Sequence, residues 1–217
     1  MRASLSLVKP LSHLQEEQRS VDEISLDNFG LSFIRGTVSE IVGPASAGKM
    51  SLALTLLSQL TGVGETCALV DSTNGFDPVT ATLAGVELSN LLWVRCGSDL
   101  ERSFMAADYL VQAKGFGAIW LNLCGLPVNK LRMVPRTYWF RYRTRIKDTP
   151  TVMLVTSSEF LTGSASQQSF VFEREEVKWS GHGKFKLLDS LHSRVISRKR
   201  LFVPPINTVI KADYTDV

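Results

Sequence analysis

Five short apolar runs alternate with stretches of helical spacing along most of this chain. The runs 38–42, 67–71, 91–96, 118–123 and 152–156 are strand-like, with continuous apolar stretches such as Ala68-Leu69-Val70 and Met153-Leu154-Val155. That is the signature of strands covered on both faces. Between them, 49–60, 78–84, 99–114 and about 135–147 repeat apolar residues at three- and four-residue intervals and predict helices. Strands alternating with helices predict an α/β fold, a mostly parallel twisted sheet flanked by helices. After Ser157 the pattern changes. The polar stretch 162–168 reads as a flexible loop. Phe170-Val171-Phe172 to Trp179, a turn around Gly181-His182-Gly183, and 194–203 then predict antiparallel edge strands toward the C-terminus. Residues 1–30 are mixed and acidic, with Glu16, Glu17, Asp22, Glu23 and Asp27. The chain is therefore divided into an N-terminal segment, 1–30, and one domain, 31–217.

Composition narrows the class without naming it. With 217 residues and 44% apolar content, the chain can enclose one substantial core. A net charge of +3 excludes a polycation, so any anion-binding surface must be local. Cys67, Cys96 and Cys124 sit in apolar runs without C-x-x-C spacing and read as reduced core thiols. His13, His182 and His192 are scattered, so no metal site is expected. Neither a secretory leader nor a membrane span is evident, and a cytoplasmic protein is expected.

The chemistry concentrates in Gly43-Pro44-Ala45-Ser46-Ala47-Gly48-Lys49-Met50-Ser51. This follows the phosphate-loop pattern G-x-x-x-x-G-K-[ST] except at its last position, where Met50 replaces the hydroxyl that meets Mg²⁺. A buried strand precedes the loop and a Leu/Ala-rich helix follows it. That order collects backbone N–H groups and a helix N-terminus around an anion, with Lys49 reaching the outer phosphates. Ser51 comes one residue late and projects about a quarter turn away, which makes it a poor substitute. The plainer alternative is a Gly-rich turn kept only for close packing of strand and helix.

From about Ile24 to Pro127 the order of motifs resembles the ATPase core of RecA-type recombinases. Gly-Pro-Ala-Ser-Ala-Gly-Lys resembles that family's phosphate loop. Thr66-Cys67-Ala68-Leu69-Val70-Asp71-Ser72-Thr73-Asn74-Gly75-Phe76-Asp77-Pro78 resembles its second motif, and Gly85-Val86 through Asn90-Leu91-Leu92 its Gly-Val-x-Asn-Leu-Leu run. The resemblance implies a RecA-like P-loop fold and ATP or ADP as ligand. It also implies that four catalytic positions are replaced. Met50 stands at the Mg²⁺ hydroxyl, Thr73 at the glutamate that activates water, Asn122 at the Walker B aspartate, and Ser158 near the nucleotide-sensing glutamine. Thr73 is far too weak a base for that role, and the set argues against Mg²⁺-dependent hydrolysis. The family's long N-terminal helix is not evident in 1–25, and its C-terminal domain finds no room before Val217. Short RecA-like proteins of this kind resemble the ImuA group, accessory factors of a mutagenic translesion-synthesis complex.

Two basic clusters complete the picture. Residues 130–147 contain Lys130, Arg132, Arg136, Arg141, Arg143, Arg145 and Lys147 and no acid. On a helix starting near Pro135, Val134, Tyr138, Tyr142 and Ile146 share a face, with Arg136, Arg143 and Lys147 opposite. This reads as a phosphate-contacting surface for DNA or as an ordinary solvated helix with its aromatics in the core. Arg198 and Arg200 alternate on the last predicted strand, before Pro204. They resemble the lysine pair with which RecA subunits touch a neighbour's nucleotide, or they are charges guarding a sheet edge. In the family, the loop after the 152–156 strand binds single-stranded DNA, whereas 159–169 here has no Lys or Arg.

The reading with the most support is a degenerate RecA-like accessory factor in DNA repair, SOS-type mutagenesis or translesion synthesis. It would bind DNA without sequence specificity, or a protein partner such as a polymerase-related factor, and no membrane. An active DNA-dependent ATPase and an interaction module with a vestigial nucleotide site are the alternatives.

Overall fold

The computed structural model describes residues 22–183, 186–199 and 203–211. Its strands are β1 (Glu23–Leu26), β2 (Leu31–Ile34), β3 (Val38–Val42), β4 (Cys67–Asp71), β5 (Leu91–Arg95), β6 (Ala118–Asn122), β7 (Val152–Ser157), β8 (Gln168–Ser180), β9 (Leu187–Ser197) and β10 (Ile206–Lys211). Its helices are α1 (Lys49–Gly62), α2 (Pro78–Leu83), α3 (Leu100–Ala113), α4 (Val128–Arg132) and α5 (Arg136–Ile146).

The continuous apolar runs pair as the interior of one sheet with the order β10-β9-β8-β3-β7-β6-β4-β5. From β8 to β5 all pairs are parallel, whereas β8–β9 and β9–β10 are antiparallel. Every residue of β3, β4, β6 and β7 is buried, which is why these segments carry no alternation. One face packs on α1 and α2 through Leu52, Leu56, Leu60 and Ala81. The other packs on α3, α4 and α5 through Phe104, Leu110, Leu131, Trp139 and Tyr142. Local chemistry sets the helix starts. Asp77 accepts from Val79 N and Thr80 N with Pro78 at the first helical position, and Asp99 accepts from Arg102 N.

Three features differ from the sequence reading. First, β1 and β2 form an antiparallel hairpin, and the line drawn at residue 30 passes between its strands. Ile24, Leu26, Phe29, Leu31 and Phe33 are buried in the same core cluster as α1, with Phe29 beside Phe172 and Phe33 beside Phe170 of β8, and Thr208 Oγ1 donates to Asn28 O at 3.0 Å. Second, 162–168 is not a flexible loop. The buried carboxylate of Glu40 accepts from Leu161 N (2.6 Å), Thr162 N (2.9 Å) and Ser169 Oγ (3.3 Å). Lys199 Nζ donates to Gly163 O (2.6 Å) and to Ser166 O and Oγ. Third, β9 ends at Ser197, so Arg198 lies past the strand and not on it. Its guanidinium sits 4.0 Å from the Phe160 ring centroid. Arg200, its expected companion, falls outside the described residues.

The anchored loop yields a first prediction. Glu40→Ala removes the acceptor of two backbone donors, and Thr162 is only 3% exposed. A buried donor left without a partner costs about 1–3 kcal/mol. Denaturant unfolding is expected to show at least that loss, with faster amide exchange confined to about 158–169. Unchanged stability would show that the carboxylate does not hold this loop.

Candidate nucleotide site

The loop between β3 and α1 owes its shape to two glycines and to the strands pressed against it. A Cβ at Gly43 would lie 2.3 Å from Phe172 O, so only glycine lets β3 run this close to β8. Gly48 has φ +93°, and a Cβ there would meet Ile210 Cδ1 at 2.5 Å. From β9, Ser193 Oγ donates to Ala47 O at 3.0 Å. The antiparallel strands therefore brace the loop from one side while the parallel sheet feeds it from below. Lys49 is buried, and its Nζ donates to Gly43 O and Pro44 O, each at 2.5 Å. Burial holds this ammonium below the ordinary lysine pKa.

The loop opens on a cavity of about 500 Å³. Ala45, Ser46, Ala47, Gly48, Lys49, Met50 and Ser51 form one side. Trp120, Asn122, Cys124 and Thr156 form the floor at the C-terminal ends of β6 and β7, where open parallel sheets bind their ligands. Arg174, Val177, Trp179, Leu188 and Leu191 form a wall from the β8–β9 hairpin. None of the wall residues is evident from sequence. Arg174 and Val177 are three apart and would face opposite ways on a regular strand. The register shift between Arg174 and Glu176 brings them to one side, and the shift between Lys178 and Trp179, which skips Asp189 on β9, does the same for Leu188 and Leu191.

The structure brings only two of the four replaced positions into this cavity. Met50 and Asn122 line it. Thr73 is one step removed, donating from Oγ1 to Cys124 O at 3.1 Å. Ser158 is exposed just past β7 and does not line the cavity. Asn122 Oδ1 accepts from Thr156 Oγ1 (3.0 Å) and Cys124 N (3.2 Å), and Thr156 Oγ1 accepts from Trp120 Nε1 (2.9 Å). The carbonyl end of this side chain is thus engaged by the floor, and its amide nitrogen is a donor that cannot ligate a cation. A thioether is likewise a poor ligand for Mg²⁺. No residue lining the cavity carries a carboxylate. The residues present suit a phosphate chain and do not suit Mg²⁺.

Neighbouring groups are structural. The Asp71 carboxylate accepts from Gly75 N (3.1 Å), Phe76 N (3.0 Å) and Trp93 Nε1 (3.3 Å), which shapes the loop carrying Thr73. Burial pushes the Cys67 thiol up to about 11 and raises Cys96 and Cys124 as well, so all three are thiols near neutral pH.

Tertiary contacts also sort the basic cluster. Arg132 pairs with Glu159 at 2.7 Å, and Arg141 and Arg145 both pair with Asp108, at 2.8 and 2.6 Å. Arg136 and Lys147 are exposed, and Arg143 Nη1 donates to Ser164 O at 3.2 Å. Among the described residues these three have no carboxylate in ion-pair range. Of the aromatics of α5, Trp139 and Tyr142 are buried and both pack on Phe104, whereas Phe140 is exposed.

A mainly parallel sheet with a glycine loop, a buried lysine and a helix springing from the loop is the architecture of the P-loop class. Within that class the chain belongs to the RecA family: the RecA N-terminal domain matches residues 11–124. It is 36% identical over 106 residues to Protein RecA of Acidiphilium cryptum, covering 46% of this chain and 31% of that protein. With Protein RecA of Deinococcus radiodurans the identity is 41% over 83 residues, 37% of this chain and 23% of the relative. With that of Rhodospirillum rubrum it is 36% over 120 residues, 52% and 32%. The matched stretch thus spans a third or less of these relatives' length. Among the described residues no helix is long and apolar enough to cross a membrane.

Proposed function

We propose that this chain is a RecA-family protein of DNA repair or recombination that holds a nucleotide without turning it over. It serves as an accessory factor, in the manner of the translesion-synthesis proteins it resembles. One observation carries this reading: a phosphate loop with its glycines and Lys49 in place opens on a cavity where Met50 and Asn122 replace the metal-handling side chains. The loop 43–51 presents its N–H groups and the N-terminus of α1 to phosphates. Lys49 leaves two neutral carbonyls for a charged phosphate oxygen, a stronger partner. ATP or ADP supplies the polyphosphate. Among the described residues the cavity lining supplies no carboxylate base.

DNA is the second ligand of this reading, held through phosphates by Arg136, Arg143 and Lys147, the three members of the α5 candidate surface left free by Asp108 and Glu159. No groove-reading motif is present, so sequence specificity is not expected. Replacing all three with Ala is expected to weaken binding and to lower the slope of log K against log salt by about three, since each lost contact removes about 0.9 on duplex DNA. Titration of single- and double-stranded DNA at several salt concentrations measures this. No binding by the wild type at low salt, or an unchanged slope in the triple variant, would leave a protein partner as the ligand. That partner would then be of the kind that accompanies a translesion polymerase.

A further inference from the structure

The phosphate loop accounts for one side of the cavity and leaves the hairpin wall without a role. β8 and β9 are 13 and 11 residues long. β3 reaches only from Ser39 to Val42 along β8, so the far half of the hairpin runs on without a parallel neighbour. Arg174 is the register partner of Ser193, whose hydroxyl holds the carbonyl of Ala47. Register partners project from the same face of a sheet. The guanidinium therefore stands on the side where the phosphate loop lies, and it lines the cavity. Other cations of this hairpin have acids beside them: Lys178 with Glu176 at 3.7 Å, and Arg194 with Glu173 at 3.9 Å. Arg174 has none in range among the described residues. Farther out on the same wall, Trp179 is 58% exposed and leaves an indole free next to Val177 and Leu188.

We infer that this cavity binds a nucleoside polyphosphate without a divalent cation, with Lys49 and Arg174 sharing the phosphate charge and the base lying against Trp179. The inference rests on the nucleotide reading above and says how that site works. A polyphosphate entering a partly dry pocket needs its charge matched. Mg²⁺ does this where carboxylates and hydroxyls hold it, and the cavity lining offers neither a carboxylate nor a hydroxyl at position 50. It offers two cations instead, one from each wall. A guanidinium presents paired donors to phosphate oxygens and keeps its charge at any physiological pH. The volume of about 500 Å³ lies within the ordinary range for small-molecule sites. A tryptophan face beside apolar side chains is a stacking platform that any base can use.

The test titrates the full chain with ATP and with ADP, once in EDTA and once in Mg²⁺, by calorimetry and tryptophan fluorescence. Affinity is expected to be the same in both buffers to within about twofold, a difference too small to reflect a lost ligand set. Arg174→Gln is expected to weaken binding about tenfold in EDTA, with Arg174→Lys recovering part of it. Trp179→Leu is expected to abolish most of the fluorescence change. Arg174 is exposed, so circular dichroism of its variants should match the wild type. Binding that requires Mg²⁺, or that ignores Arg174→Gln, overturns this inference and leaves the nucleotide site standing. If the wild type binds neither nucleotide in either buffer, both the inference and the nucleotide reading fall.

Discussion

Purified protein given ATP, Mg²⁺ and single-stranded DNA is expected to release phosphate no faster than its Lys49→Ala variant. Hydrolysis by a P-loop needs a held Mg²⁺, a carboxylate to support it and a group that positions the attacking water. Here Met50 lines the cavity where the first would be held, and Asn122 is tied to Thr156 and Cys124. Thr73 spends its hydroxyl on Cys124 O. Losing one preorganised catalytic donor costs about 10²–10³ in rate, and losses of groups that act as a unit do not simply add. The combined deficit is still expected to remove any turnover an ordinary assay can detect. Met50→Thr alone is expected to restore nothing, because Asn122 and Thr73 remain. A steady DNA-stimulated rate that disappears in Lys49→Ala would overturn this and establish an active ATPase.

The largest stability effect is expected from Trp139→Ala, a loss of about 3–5 kcal/mol in denaturant unfolding, the usual cost of deleting a fully buried large aromatic. Trp139 is 1% exposed, with its ring centroid 5.1 Å from that of Phe104 and 6.1 Å from that of Tyr142. Tyr142 closes the same cluster by donating to Phe104 O at 2.8 Å. Phe140, its 44%-exposed neighbour on α5, is the control, and Phe140→Ala is expected to cost well under half as much. Equal effects would mean that the aromatics of this helix do not hold it to α3.

Both predictions depend on what could and could not be read before folding. β3 and β4 coincide with their apolar runs residue for residue, because a strand buried on both faces advertises itself without context. The glycine loop was equally legible, since its residue types are dictated by φ and by closeness of approach. The hairpin β1–β2 was not. Ile24, Leu26, Leu31 and Phe33 do alternate, but over two strands of only four residues each. The acids that pair with Arg132, Arg141 and Arg145 were invisible for another reason. Asp108 is 37 residues from Arg145, and Glu159 is 27 from Arg132, so no local window contains both members of a pair. Glu40 reaches Leu161 across 121 residues, and a polar stretch that looked loose proved to be anchored by it. The cavity wall was hidden by bulges, which change the facing of residues without changing their identity.

The placement of β3 has a consequence for how the chain is made. Its sheet neighbours are β7 and β8, and Val38 pairs with Met153, more than a hundred residues downstream. At ribosomal speeds of about 5–20 residues per second, roughly 6–25 seconds separate the emergence of this strand from that of its partners. Throughout that interval the phosphate loop cannot take its final shape, because Phe172 and Ser193, which brace it, have not been synthesised. The order of translation therefore leaves an unpaired strand, with Val38, Ile41 and Val42 uncovered, waiting in the nascent chain. Any slowing between residues 43 and 152 lengthens the period in which it is open to chaperones or to another copy.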